Sequence, residues 1–90
     1  MPTAHHYRIT GRVQGVGFRA ATCDTARALG LSGWVRNCED GRVELVAAGE
    51  AAAIERLRQW LSRGPASAEV AEVSEHSVEA RDLPAPFRIA

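Results

Sequence analysis

A strand-like run of residues turns into a helix-like run across a short corner, and this order limits the fold more than any other feature of the chain. Residues 7–13 alternate in the manner of a half-buried strand. Residues 19–29 are good helix formers, and Gly30 follows them as a typical helix stop. Gly15 and Gly17 occupy the corner between the two runs. A strand that leads into a helix in this way predicts a crossover to a second strand, parallel to the first.

A hairpin is predicted after the first helix. Residues 31–37 and residues 42–48 have strand patterns, and the segment "CEDG" at 38–41 is an Asp-Gly turn of the kind that joins two strands. Because the first two strands are parallel, their carboxyl ends meet at the same edge of the sheet. In folds of this type the third strand usually lies between them, which separates them by roughly 9–10 Å.

The second half of the chain predicts one more helix and two weaker strands. Apolar residues recur at helical spacing within residues 49–65, between an opening Gly-Glu pair and a closing Gly-Pro pair. Residues 67–78 predict a weak strand with a bulge, and residues 87–90 a short closing strand, while 64–68 and 79–86 are loops. The order β-α-β-β-α-β is that of a ferredoxin-like α+β sandwich, in which two helices cover one face of an antiparallel sheet.

The totals predict one small domain that is not specialised for polyanions. Ninety residues allow a single domain over residues 1–90, with residues 1–6 as a flexible N-terminus. The formal net charge is zero, whereas nucleic-acid domains usually carry an excess of basic charge. No apolar run approaches the roughly 20 residues of a membrane span, and the start lacks a signal pattern. We therefore expect a soluble, cytoplasmic monomer that binds neither nucleic acid nor membrane.

The chain contains no lysine, since all eleven of its basic residues are arginine. This excludes Schiff-base chemistry and the lysine-dependent phosphate loop of nucleotide hydrolases. Any bound anion must therefore be held by arginine side chains and backbone N–H groups.

The cysteines and histidines do not form a metal-ligand pattern. Cys23 and Cys38 lie 15 positions apart and are expected to be reduced thiols, because a zinc site needs more ligands at closer spacing. His5 and His6 fall in the expected flexible terminus, and His76 is isolated. We expect neither a metal nor another cofactor.

The glycine corner has the chemistry of an anion site. Gly15 and Gly17 permit backbone angles that other residues resist, so successive N–H groups can turn inward and form a nest for an anion. The helix that follows begins with unpaired N–H groups, and its dipole favours negative charge. Arg19 adds a planar fork suited to two oxygens of a phosphate or carboxylate. The alternative is a tight strand-to-helix turn with a solvated arginine.

Asn37 ends the second strand and should therefore lie at the same sheet edge as the glycine corner. An asparagine before a turn often caps its own backbone, which is the alternative to a role in binding or catalysis. Arg36 and Arg42 near this edge are expected to be solvated, or to attract an anionic substrate.

Two other binding functions fit less well. The segment "GVGFRA" resembles a dinucleotide-binding fingerprint, but the second strand enters a hairpin, and ninety residues cannot supply a doubly wound sheet. One common RNA-binding module has the same element order and presents aromatic residues on its central strands. Here the third strand has none, and the first has only Tyr7.

Two long segments closely resemble the signature motifs of the acylphosphatase family: "GRVQGVGFR" at 11–19 and "GWVRNCEDGRVELVAAG" at 33–49. The resemblance covers residues 7–89 and includes the spacing between the motifs. The C-terminal "PAPFRIA" is the loosest part, because several family members end on an aromatic residue.

The resemblance implies hydrolysis of acyl phosphates to a carboxylate and inorganic phosphate, without a metal or a covalent intermediate. It implies that Arg19 binds the phosphoryl oxygens and that Asn37 positions the attacking water. Backbone N–H groups would surround the same oxygens, from Gln14, Gly15, Val16, Gly17 and Phe18. We expect the Gln14 side chain to be structural within the loop. The alternative function is a non-catalytic module of this family that binds phosphate-type ligands or a partner.

Overall fold

The computed structural model describes residues 3–90, which form five strands and two helices. In chain order the elements are β1 Thr3–Arg12, α1 Phe18–Ala28, β2 Ser32–Asn37, β3 Val43–Ala48, α2 Ala51–Leu61, β4 Glu69–Glu79 and β5 Arg88–Ile89. The predicted order of elements and the ferredoxin-like α+β fold are confirmed. No helix within residues 3–90 is long and apolar enough to cross a membrane.

The five strands form one sheet in the order β4-β1-β3-β2-β5. β3 lies between β1 and β2 and pairs antiparallel with both, so β1 and β2 are parallel, as predicted. The expectation of a purely antiparallel sheet is wrong at one edge, where β5 pairs parallel with β2. After β4 the chain crosses the end of the sheet before β5 begins, so β5 runs in the same direction as its neighbour.

β1 is longer than its sequence pattern predicts. Residues 3–6 belong to the strand, so the expected flexible N-terminus is wrong for them, and residues 1–2 lie outside the described residues. The reason is that β4 extends to Glu79 and supplies partners over this whole length, beginning with Thr3 opposite Glu79. The predicted bulge is present in β4, where the register shifts between Thr10 and Gly11 of β1.

The core lies between one face of the sheet and the two helices. Tyr7 and Ile9 of β1 point into it, and α1 and α2 each bury one stripe of side chains. Phe18, the first residue of α1, is only 1% exposed, and its ring centroid lies 5.6 Å from that of Trp60 in α2. This contact anchors the start of α1 to the core, because burial of an aromatic ring contributes strongly to packing.

β5 is held in place through the residues on either side of it. The Phe87 carbonyl oxygen accepts a hydrogen bond from Arg27 Nε at 2.6 Å and one from the Cys23 thiol at 3.3 Å. The Phe87 ring is fully buried, and Ala90 N donates to the Val35 carbonyl at 2.8 Å. α1 and β2 therefore fix the position of this short strand together.

The outer face of the sheet, opposite the helices, contains a buried carboxylate. Glu44 on β3 has a side chain only 7% exposed, and its oxygens receive hydrogen bonds from His6 Nε2 at 2.8 Å and from the Arg36 guanidinium. Arg8 Nε lies 3.8 Å away. Arg36 also stacks over Trp34, with the guanidinium carbon 5.6 Å from the ring centroid. We refer to Glu44, His6, Arg8 and Arg36 as the Glu44 cluster.

Candidate active site

A pocket of about 200 Å³ lies where β1 and β2 end beside the start of α1. It brings together the glycine corner, Arg19 and Asn37, which the parallel arrangement of β1 and β2 predicts. Its lining residues are Val13, Gly15, Gly17, Phe18, Arg19, Ala20, Asn37 and Ile89.

The corner has the backbone conformation of an anion-binding nest. Gly15 has φ +74° and Gly17 has φ +77°, both in the left-handed region that favours glycine. A Cβ built on either residue would meet no atom within 4 Å, so it is the backbone angle that calls for glycine, not a lack of space. Gly17 is the N-cap of α1, and no side chain caps the first N–H groups there. These donors remain available to a bound anion.

The corner is fixed from its outer side. Ser67 Oγ donates a hydrogen bond to the Val16 carbonyl at 2.8 Å. Because the C=O and N–H of a trans peptide point to opposite sides, this bond turns the Gly17 N–H away from Ser67. This bond and the buried Phe18 ring tie the corner to the segment before β4 and to the core.

Arg19 lines the pocket and is exposed to solvent. Within residues 3–90 its guanidinium has no carboxylate or hydrogen-bond partner. The side chains of the two arginines expected to be solvated near this edge are partly exposed to solvent, and both are also paired: Arg36 with Glu44, and Arg42 with Asp40 at 2.6 Å. Arg19 is therefore the pocket's own cation, and its charge is not neutralised by a neighbouring residue.

Asn37 reaches the pocket from the last position of β2. Its Oδ1 is buried and has no hydrogen-bond partner, so it does not cap the following turn, as the alternative reading of this residue required. Asp40 performs that task, since its carboxylate accepts from the Arg42 N–H at 3.1 Å and from Arg42 Nε at 2.7 Å. These bonds hold the pKa of Asp40 below its usual range.

Gln14 lies beside the pocket and joins its two halves. Its Nε2 donates to the Cys38 carbonyl at 2.7 Å and to the Arg42 carbonyl at 2.9 Å. The expected structural role agrees with these two bonds, but they reach the β2–β3 hairpin instead of staying within the loop. Of the six residues predicted to bind phosphate, Gly15, Gly17, Phe18 and Arg19 line the pocket, whereas Gln14 and Val16 do not.

Three lining residues were missed at the level of sequence: Val13, Ala20 and Ile89. Ile89 is the most informative, because it is 45% exposed and is the one exposed large hydrophobic residue within the described part of the chain. Its position opposite Val35, on the strand that leads to Asn37, places it at the pocket. The alternation of Phe87 and Ile89 indicated a strand. A strand this short, however, has too little pattern to predict which strand of the sheet it pairs with.

The thiol of Cys38, near the pocket, is a poor nucleophile. Cys23 and Cys38 are free, and burial, together with the charge of Glu44, raises the pKa of the Cys38 thiol. A protonated thiol is a poor nucleophile. Across residues 3–90 no three His, Cys, Asp or Glu side chains are grouped so that they could hold a metal ion.

The comparison with known protein families agrees with this geometry. The acylphosphatase family model matches residues 5–89.

The chain belongs to the acylphosphatase family. It is 51% identical over 83 residues to the acylphosphatase of Nitrosococcus oceani, covering 92% of this chain and 93% of that protein. The solved acylphosphatase of Coxiella burnetii superposes with a TM-score of 0.91 at 39% identity, over 99% of this chain and 94% of the other. That of Bacillus subtilis gives the same TM-score at 32% identity and 98% coverage of both chains. Family membership makes the chain a hydrolase of acyl phosphates.

Proposed function

We propose that the pocket at the glycine corner binds the phosphoryl group of an acyl phosphate and directs one water molecule onto it. The observation that carries the proposal is the meeting of Arg19, the nest and the buried, unpartnered Oδ1 of Asn37 in one small pocket. Arg19 contributes a bidentate guanidinium, and N–H groups of the corner contribute neutral donors. Both would stabilise negative charge on the phosphoryl oxygens, and no carboxylate of the described chain neutralises Arg19 before the substrate binds.

The reaction forms one bond and breaks another. The water oxygen attacks phosphorus, and the bond between phosphorus and the acyl oxygen breaks in line with it. The bonding pair leaves with the acyl group as a carboxylate, which is stable without protonation, so a strong general acid is unnecessary. The water's proton passes to the phosphate product or to solvent. Such a transfer depends chiefly on positioning and charge stabilisation.

Asn37 would orient the water instead of deprotonating it. A carboxamide both accepts and donates hydrogen bonds, but it is a poor base at any ordinary pH. Its buried Oδ1 can accept a hydrogen bond from the water and aim a water lone pair at phosphorus. The raised pKa of the Cys38 thiol favours direct attack by water over a covalent intermediate on that residue.

The acyl group would extend from the nest towards Ile89. That side chain is the exposed apolar part of the pocket lining and offers a surface without hydrogen-bonding groups. Recognition through the phosphate end, with apolar contact only on the acyl side, predicts tolerance of many acyl groups.

The proposal includes a metal-independent reaction in a cytoplasmic monomer made of one domain over residues 1–90. Metal independence is supported by Arg19 and the N–H groups, which would stabilise negative charge on the phosphoryl oxygens. In other phosphoryl transfers a metal ion performs this task as a Lewis acid. The two free thiols are ordinary for a reducing compartment.

The test is release of inorganic phosphate from benzoyl phosphate by the full chain, with and without chelator. Turnover above the uncatalysed rate in both conditions supports the proposal. Binding of phosphate without turnover would instead support the non-catalytic module, and activity lost to chelator and restored by a divalent cation would contradict metal independence.

A further inference from the structure

Gln14 connects the phosphate-binding nest to the strand end that presents Asn37. It directly precedes Gly15, the first left-handed residue of the corner. Its amide nitrogen crosses to the hairpin and donates to the carbonyls of Cys38 and Arg42, at 2.7 and 2.9 Å. One side chain thus spans the two chain segments between which the pocket lies.

The two carbonyls belong to the part of the hairpin that sets the backbone at Asn37. Cys38 follows Asn37 directly, and its N–H donates to the Arg42 carbonyl at 2.7 Å. The Gln14 amide therefore closes a small network in which the Arg42 carbonyl accepts from both Gln14 and Cys38. A change in this network would rotate the peptide after Asn37 and move its carboxamide.

Asn37 has little else to hold its side chain in place. Its Oδ1 is buried without a hydrogen-bond partner, so its direction is set by its backbone and by packing. A shift of about 1 Å in a positioning group commonly costs up to about 10²-fold in rate. The orientation of Asn37 is therefore sensitive to the bonds that Gln14 makes.

We propose that Gln14 is a positioning residue, which fixes the Asn37 carboxamide relative to the nest through its bonds to the Cys38 and Arg42 carbonyls. Gln14 does not line the pocket, and its Nε2 is engaged with the hairpin. It acts through Asn37 and not on the substrate. The inference rests on the proposed function, in which Asn37 orients the water and the nest holds the phosphoryl group.

The main test is a double-mutant cycle with Gln14→Met and Asn37→Ala, which uses benzoyl phosphate as substrate. Methionine keeps the length of the side chain and removes both donors. We expect Gln14→Met alone to lower kcat about 10-fold and to change the inhibition constant of inorganic phosphate less than about 3-fold. In the Asn37→Ala background the same change should lower kcat less than about 2-fold, because the residue it acts through is gone.

The matched control is Asp40→Ala. It removes the other side chain that ties this turn together, but one that makes no bond to the nest. We expect kcat to change less than about 2-fold. Equal losses of kcat from Gln14→Met in both backgrounds, or a loss of phosphate inhibition as large as the loss of kcat, would overturn the proposal.

A second variant separates the donor role from simple packing. In Gln14→Glu the ionised carboxylate faces two carbonyl oxygens and cannot donate, whereas its protonated form can donate one bond. We expect the ratio of its kcat to that of the wild type to rise about 3-fold or more from pH 7 to pH 5. A constant ratio across this range contradicts the donor role.

A spectroscopic measurement distinguishes failure of this proposal from failure of the proposed function. In ¹⁵N-labelled protein, Gln14→Met should shift the Asn37 side-chain amide signal, while the Gly15 and Gly17 amides still respond to added inorganic phosphate. If the wild-type chain proves inactive, the proposed function fails, yet this comparison still reports on Gln14. An unmoved Asn37 signal would overturn the positioning role in either case.

Discussion

The pocket and the Glu44 cluster both bury a polar side chain, and they differ in what surrounds it. The Glu44 carboxylate receives hydrogen bonds from His6 and Arg36. Asn37 Oδ1 in the pocket accepts no hydrogen bond within the described residues, and the Arg19 guanidinium, which lines the same pocket, donates none to them. The Glu44 cluster is thus satisfied by the chain's own side chains, whereas the proposed phosphoryl group and water would supply the partners in the pocket.

This difference is informative because an unpartnered buried polar group is costly. Leaving such a group without a hydrogen bond costs about 1–3 kcal/mol, so folded proteins keep few of them. The Asn37 oxygen is one such group, and the proposed water explains it. Thr22 Oγ1 in α1 also lacks a partner, but it does not line the pocket, and nothing in the structure explains it.

The largest expected effect compares one arginine from each region. Arg19→Gln should lower kcat/KM by about 10³-fold or more and abolish competitive inhibition by phosphate, because the pocket loses its own cation. Arg36→Gln, the matched change in the Glu44 cluster, should leave kcat/KM within about 3-fold and lower the melting temperature instead. Steady-state kinetics and thermal unfolding of both variants check this, and comparable losses of activity would remove the distinction between the regions.

The second effect lies within the pocket. Asn37→Ala should lower kcat by about 10²–10³-fold, because the water is no longer oriented. Phosphate should still inhibit competitively, since the nest and Arg19 are untouched. Stopped-flow or coupled phosphate assays measure kcat, and circular dichroism checks the fold. Near-normal turnover would exclude Asn37 from the mechanism.

The third effect concerns stability and pH in the Glu44 cluster. Burial alone would raise the pKa of Glu44, but the hydrogen bonds from His6 and Arg36 outweigh it and hold the pKa below its ordinary value. A carboxyl with a lowered folded pKa contributes stability above its unfolded value of about 4.3, and this stability is lost as the pH falls through the folded value. Glu44→Gln should therefore lower the free energy of unfolding at pH 7 by about 1–2 kcal/mol and flatten its decline below about pH 5.

Urea unfolding from pH 3 to 7 measures this, with kcat at pH 7 as the control that should not change. Some acid sensitivity should persist in Glu44→Gln, because the bond from Arg58 also lowers the pKa of Glu75. A variant whose stability falls with acid as steeply as the wild type would show that the Glu44 cluster does not respond to pH in this way.

The smallest effect concerns the acyl side of the pocket. Ile89→Ser should lower the preference for benzoyl phosphate over acetyl phosphate by about 3–5-fold, because a half-exposed apolar side chain offers only modest burial to the larger acyl group. Turnover of acetyl phosphate should hardly change. The ratio of kcat/KM for the two substrates is the measurement, and an unchanged ratio would mean that the acyl group takes another path out of the nest.

The sequence predicted the element order and the meeting of the glycine corner with Asn37, because both follow from local patterns and one crossover. It did not predict that β1 begins at Thr3, since pairing with β4 extends the strand beyond its own alternation. The parallel pairing of β5 and the reach of Gln14 were also missed. Each depends on contacts between distant segments, and a two-residue strand or a single glutamine has no periodicity to reveal them.

The Phe87 carbonyl before β5 is held by Arg27 and Cys23 of α1, and β5 itself pairs with β2 over only two residues. Local opening of an edge strand this short requires little free energy. The nest, by contrast, leads into α1, whose first residue, Phe18, is buried in the core. If the site works as proposed, the phosphate binds at a helix start that is packed into the core, whereas the acyl group contacts a two-residue edge strand.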